Sequence, residues 1–139
     1  MRYKLDYEKK ILLVDDDIDI LEQNKILFEA EGFTVEIAET SVDGYEKFLT
    51  FKPACAVIDL MMEEYDSGFI LAHKIKRHPM GKKIPVYIVT AVANQTGLQF
   101  ESMTPEEQEW INADDILNKP VVLEDILSRI SDFYEKRAG

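Results

Sequence analysis

The chain has 139 residues, 46% of them hydrophobic and 31% charged, and carries a net charge of −11. Ordinary domains run to roughly 100–150 residues, so one soluble globular domain spanning 1–139, with one sizeable core, is expected. The acidic balance argues against nucleic acid or an anionic membrane as partner, because either needs a basic face.

The amino-terminal stretch MRYKLDYEKK mixes charges of both signs and contains no apolar signal-like core. No apolar run approaches the roughly 20 residues of a membrane span. A cytoplasmic location is the expectation. Lys10 to Val14 (KILLV) reads as a buried strand and runs directly into Asp15, Asp16 and Asp17. Ile18 to Glu31 follows as a helix, with Ile20, Leu21, Leu27 and Phe28 near one face and Gly32 as its stop. Thr34 to Ala38 alternates enough to be a strand nearer the sheet edge. Ser41 is the expected N-cap of a second helix carrying Val42, Tyr45, Phe48 and Leu49 on one side, ended by Pro53.

Ala54 to Met61 (ACAVIDLM) is the stretch around which the rest is organised. An unalternating apolar run fits a strand buried on both faces, as in a parallel sheet covered by helices. A charge in mid-strand would be costly to desolvate, so Asp59 marks the strand's carboxyl end, where open α/β sheets keep their ligand crevice. Cys55 lies within this strand as a small core residue. As the single cysteine it forms no internal disulfide, in keeping with a reducing compartment. A loop from Met62 to Ser67 leads to a third helix, about Gly68 to Arg77, expected to bury Phe69, Ile70 and Ile75. His73 and His78 on and beside it read as solvated residues rather than a metal pair.

Pro85 to Val89 (PVYIV) reads as another buried strand ending at Thr90 and Ala91. Asn94 to Met103 has no clear period. Thr104-Pro105-Glu106-Glu107 then matches a capping box with proline at the first helical position, opening a short helix to about Asn112 with Trp110 and Ile111 inward. Ile116 to Asn118 is a short last strand, followed by Lys119-Pro120. The final helix carries Leu123, Ile126, Leu127, Ile130 and Phe133 at helical spacing, with acids in its first turn and bases in its last. Five strands alternating with five helices call for a doubly wound, flavodoxin-like α/β sandwich with helices on both faces. Order 2-1-3-4-5 would set the first and third strands side by side, so that Asp15, Asp16 and Asp59 meet at a switch point.

Three converging carboxylates repel one another: at about 4 Å each pair costs roughly 4 kcal/mol at an effective dielectric near 20. Such a site needs a proton, a bound cation or a fixed basic residue. Carboxylate oxygens without histidine or thiolate suit a hard divalent ion, and Mg2+ is the expected one. Lys119 would add a positive charge and Thr90 a hydroxyl, completing a cradle for a phosphoryl group, with Asp59 as nucleophile. The plainer alternative is that Asp15 to Asp17 cap the first helix and Lys119 pairs with one of them.

The ordered set ILLVDDD, AVIDLM, VYIVTA and ILNKPV resembles the receiver domain of bacterial two-component response regulators (CheY-like), from Lys10 to Lys136. The resemblance implies the 2-1-3-4-5 sheet and phosphorylation of Asp59 by a sensor histidine kinase or phosphotransfer protein. It also implies Mg2+ held by Asp16, Asp59 and the backbone carbonyl of Met61, with Asp15 acting through a metal-bound water. Thr90 would move to hydrogen-bond the phosphoryl group, Lys119 would pair with it, and Lys119-Pro120 would be a cis peptide. Output would pass to a partner protein through the fourth helix, fifth strand and fifth helix, from a monomer or weak homodimer. The chain would be a stand-alone receiver or a piece of a longer regulator, and would act on itself rather than turn over a substrate.

Several positions depart from the family pattern. Ile116 stands where an aromatic residue is usual, three positions before the lysine, so the usual ring reorientation is not available. The loop LMMEEYDSG and the stretch from Thr90 to Lys119 are longer than usual. The second points to a specialised output surface that could involve Phe100, Met103 or Trp110, against simple core packing. Met61 and Val92 lie two residues beyond Asp59 and Thr90, and neither can hydrogen-bond a water. A long-lived phosphoryl-aspartate is the expectation. Glu63-Glu64 and Glu106-Glu107 read as solvated faces. Two rivals stand beside the phosphorylation switch. One is a receiver-like scaffold that is never phosphorylated; the other is a small Mg2+-dependent phosphohydrolase, which would lack a second acid because Met61 occupies that place.

Overall fold

A computed structural model describes residues 7–60, 62, 67–90 and 113–138. Five parallel strands form one sheet: β1 (Lys10–Val14), β2 (Thr34–Ala38), β3 (Cys55–Asp59), β4 (Val86–Thr90) and β5 (Asp115–Asn118). Their order is β2-β1-β3-β4-β5. The chain therefore starts in the interior of the sheet, builds outward to β2, and crosses back over β1 to β3. Val14 pairs with Ile58, Asp59 with Val89, and Thr90 with Asn118, so the polar ends of β1, β3, β4 and β5 emerge along the same edge.

Strand side chains alternate between two cores. Leu12, Val14, Ala56, Ile58, Val86 and Ile88 pack beneath α2 (Ser41–Phe51) and α3 (Ser67–Arg77). Ile11, Leu13, Cys55, Val57, Tyr87 and Val89 pack beneath α1 (Ile18–Ala30) and the C-terminal helix (Leu123–Ala138). β1, β3 and β4 are buried on both faces because helices cover both, which is why their sequences do not alternate. Cys55 is fully buried, and burial pushes its thiol well up, so it behaves as the core residue expected of it.

The helix faces differ from the sequence expectation in a consistent way. Leu27, Val42, Leu49 and Ile70 were expected inside but are exposed, Val42 by 65%. The sheet-facing stripes are narrower and use Leu21 and Phe28 in α1, Gly44 and Phe48 in α2, and Leu71, Ala72 and Ile75 in α3. Gly44 sets α2's depth. A Cβ there would lie 2.9 Å from Leu71 Cδ2 and 3.2 Å from Val14 Cγ2, so the bare backbone lets the helix settle onto β1 and α3. The N-cap of α2 is Thr40 rather than Ser41: its Oγ1 accepts the Asp43 N–H at 3.1 Å. Gly32, at φ 91°, follows α1 as the expected stop, one residue after the cap at Glu31. Pro85 precedes β4 rather than opening it, and β5 begins at Asp115.

The histidines are less solvated than expected. His78 Nδ1 accepts the Met80 N–H at 3.1 Å and its ring meets Phe48 edge-on at 5.5 Å. His73 Nδ1 is buried and has no hydrogen-bond partner among the described residues. The expectations for Met61, Glu63-Glu64, Ala91, Val92, the Asn94–Met103 stretch with Phe100, and the Thr104–Asn112 helix with Glu106-Glu107, Trp110 and Ile111 lie outside the described residues. No helix among the described residues is long and apolar enough to cross a membrane.

Candidate functional site

The site stands at the carboxyl ends of the three central strands and at the start of the segment that leaves β5. β1 delivers Asp15, whose N–H is held by the Ala38 carbonyl at 3.1 Å and whose Oδ1 accepts the Asp17 N–H at 2.9 Å. That second bond turns the chain sharply. Asp16 is left exposed at the mouth, while Asp17 caps α1 by accepting the N–H groups of Asp19 and Ile20. The plainer alternative is thus right for Asp17, which caps the helix, and for Lys119, which pairs with Asp15. It does not extend to Asp15 or Asp16 as caps, since the helix N–H groups go to Asp17.

β3 delivers Asp59, which is only 6% exposed although it ends the strand. Its burial has a backbone cause at Gly68. The Gly68 N–H is bonded to the Leu60 carbonyl at 2.7 Å, and a Cβ on Gly68 would lie 2.3 Å from the Asp59 carbonyl oxygen. Only glycine lets the first turn of α3 close over the strand end this tightly. The sequence reading used Gly68 only as a helix boundary; the serine–glycine pair at a helix start was the signal available. Thr90, at the end of β4, is 1% exposed and lies one residue beyond the Asp59–Val89 pair.

Lys119 follows β5 directly, and its backbone N–H is held by the Thr90 carbonyl at 3.2 Å. The Lys119–Pro120 peptide is cis, as the resemblance implied. The Lys119 ammonium lies 2.9 Å from Asp15 Oδ2 and 3.0 Å from Asp59 Oδ1, bridging the two buried carboxylates. One oxygen from each of Asp15, Asp16 and Asp59 falls within 4.8 Å of the others. The structure thus gathers Asp15, Asp16, Asp59, Thr90 and Lys119 at one edge of the sheet.

Burial pushes the Asp59 carboxyl up to about 6, and the nearby negative charges of Asp15 and Asp16 add to the rise. The hydrogen bond and positive charge of Lys119 pull the other way without cancelling it. For Lys119 the balance is reversed. Burial alone would lower its pKa, but the bonds and charges of Asp15 and Asp59 outweigh burial and raise it. The ammonium is therefore firmly charged, yet one positive charge serves three acids. The donor set, three carboxylates with no histidine or thiolate among them, fits a hard divalent cation such as Mg2+.

The site is thus an acid-lined crevice at the switch point of a doubly wound parallel sheet, with a lysine across it and a buried threonine beside it. The chain belongs to the response regulator receiver domain family, whose model matches residues 11–131. It is therefore a receiver domain of the two-component type, a class that works through phosphorylation-dependent signalling. It is 31% identical over 123 residues to the DNA-binding dual master transcriptional regulator RpaA of Synechocystis, covering 87% of this chain and 47% of that protein. The same identity and length relate it to the transcriptional regulatory protein SrrA of Staphylococcus aureus, of which 46% is covered. The chain thus spans less than half the length of these two relatives. Among solved structures, a CheY-like receiver domain from Methanospirillum hungatei superposes with a TM-score of 0.72 at 27% identity, covering 95% of this chain and 98% of that one.

Proposed function

We propose that Asp59 accepts a phosphoryl group from a phosphohistidine on a sensor histidine kinase or phosphotransfer protein. In that step a carboxylate oxygen of Asp59 bonds to phosphorus, the P–N bond breaks, and its electron pair returns to the imidazole. The convergence of Asp15, Asp16 and Asp59 under one lysine carries this reading. Asp16, Asp59 and the Met61 carbonyl would hold Mg2+, with Asp15 reaching it through a water. The ion would supply the charge that Lys119 alone cannot. Lys119 Nζ, already 3.0 Å from Asp59, needs only a short shift to pair with the new phosphoryl oxygens. The Thr90 hydroxyl would donate to another of them.

The proposed unit is a single domain over 1–139 with its core in 10–136. It modifies and resets itself, and so is a switch rather than a turnover enzyme, acting in the cytoplasm. Its signal would pass through the face made by the fourth helix, β5 and the C-terminal helix to a partner protein. The experiment is incubation with Mg2+ and a small phosphodonor, followed by intact mass, alongside Asp59→Asn. One phosphoryl adduct lost in the variant is expected. No adduct would favour an unphosphorylated scaffold, and steady consumption of a phosphomonoester would favour a phosphohydrolase.

A further inference from the structure

We infer that the end of α3 and the turn after it form a second docking surface, for a compact acidic segment of another protein. Residues 73–83 hold five of the chain's sixteen lysines and arginines, both histidines and no acid. Residues 15–46, by contrast, hold eleven acids against a single base, Lys25. The net charge of −11 hides this asymmetry. Part of the cluster has an ordinary structural use. Basic residues in the last turn of α3 complement the helix dipole, and Lys76 is committed to Asp114 at 3.0 Å and to the Ile84 carbonyl at 2.7 Å.

The rest is not accounted for in that way. Lys74, Arg77, Lys82 and Lys83 are exposed. Lys74, Arg77 and Lys83 make no ion pair among the described residues. Lys82 and Lys83 lie beyond the helix, in a separate 3-10 turn, Gly81–Lys83, where the dipole argument does not reach.

That turn is built rigidly. The His78 carbonyl accepts the Lys82 N–H at 3.1 Å, the Met80 carbonyl accepts the Lys83 N–H at 3.2 Å, and His78 Nδ1 holds the Met80 N–H. Gly81 is folded so closely onto the end of α3 that a Cβ would lie 1.6 Å from the Ile75 carbonyl oxygen. The like charges are thus held together by a fixed backbone. Like charges at helical spacing, as at Lys74 and Arg77, are mildly destabilising. A preorganised cationic surface of this kind steers and binds an anionic partner at little ordering cost.

The occupant follows from what surrounds the surface. Outside residues 73–83 the chain holds 11 lysines and arginines against 27 acids. A long polyanion such as nucleic acid, or an extended anionic membrane, would run past the basic surface onto that acidic remainder. A short acidic loop or helix would not. The surface lies at the amino-terminal end of β4, opposite Asp59, so its occupant leaves the acid site open.

The test is fluorescence anisotropy of a labelled octaglutamate peptide with the full chain. Single-stranded DNA, phosphatidylserine vesicles and sedimentation of the chain alone serve as further arms. Salt-sensitive peptide binding is expected, weakening about tenfold or more between roughly 20 and 200 mM salt. The same loss is expected in Lys74→Glu/Arg77→Glu/Lys82→Glu/Lys83→Glu. Arg77→Gln/Lys83→Gln, a milder change, should weaken binding severalfold, and Lys9→Glu/Lys25→Glu, toward the α1 face of the sheet, should leave it within about twofold, since charges elsewhere are screened. No binding, equal loss in the Lys9/Lys25 control, tighter binding to DNA or vesicles, or a salt-labile dimer removed by the patch variants would each overturn the inference.

Discussion

Asp59→Asn should stabilise this protein when no divalent ion is present. The Asp59 carboxyl sits at about 6 in the folded chain against 3.8 for the unperturbed group. For an acid raised on folding the sign is fixed. Below the lower value both states are protonated and folding bears no charge penalty. As pH rises through the interval, the unfolded chain loses its proton first, so stability falls; above about 6 the full penalty applies. A shift of about two units corresponds to roughly 3 kcal/mol, and solvent at the crevice mouth reduces the expected gain to about 1–3 kcal/mol. For a chain of this length that is roughly 3–10 °C in Tm. The assay is thermal and urea unfolding near neutral pH in a chelator, repeated with Mg2+. Native protein should gain stability from Mg2+ by mass action, and the variant should gain much less. A variant less stable than native protein in chelator would refute the reasoning, because Asp59 would then be a net stabiliser and not a strained charge.

Lys119→Met removes the one cation bridging two buried carboxylates and should cost about 2–4 kcal/mol in chelator, measured by urea unfolding, with much of the loss restored by Mg2+. Mg2+ affinity, followed by intrinsic fluorescence or calorimetry, should fall as pH drops through about 6, where Asp59 takes up its proton. Gly68→Ala places a Cβ against the β3 carbonyl and should destabilise the fold by about 2–4 kcal/mol while slowing phosphoryl acceptance, which a refolding curve and a phosphorylation time course would check. Met61→Asn or Val92→Glu should speed loss of the phosphoryl group, read as its half-life by mass; no acceleration in either would count against an apolar surround as the cause of a long lifetime.

The strands were legible because a parallel sheet covered on both sides writes itself as unbroken apolar runs, and KILLV, ACAVIDLM and PVYIV are such runs. Site residues were legible for a related reason: a charge can end such a strand but cannot interrupt it, so Asp15 and Asp59 announced both the strand ends and the crevice. The helices were read less well. Val42, Leu49 and Ile70 are apolar at near-helical spacing, yet the sheet-facing stripe is decided by which residue can approach closest. At α2 that is Gly44, invisible to a hydrophobic count. Gly68 was overlooked as a site residue for the same reason, since its role is the space it leaves. The basic turn at 77–83 is plain in the sequence, but its rigidity depends on Gly81 and His78 folding back on α3, which local pattern does not reveal.

The account centres on a covalent event at a single carboxylate. After incubation with a phosphodonor and Mg2+, borohydride reduction should convert the phosphorylated aspartate to homoserine. Peptide mapping should then find homoserine at position 59 and at no other aspartate, with none formed in chelator. Homoserine at Asp15 or Asp16, or no homoserine from a protein that binds Mg2+ normally, would contradict it.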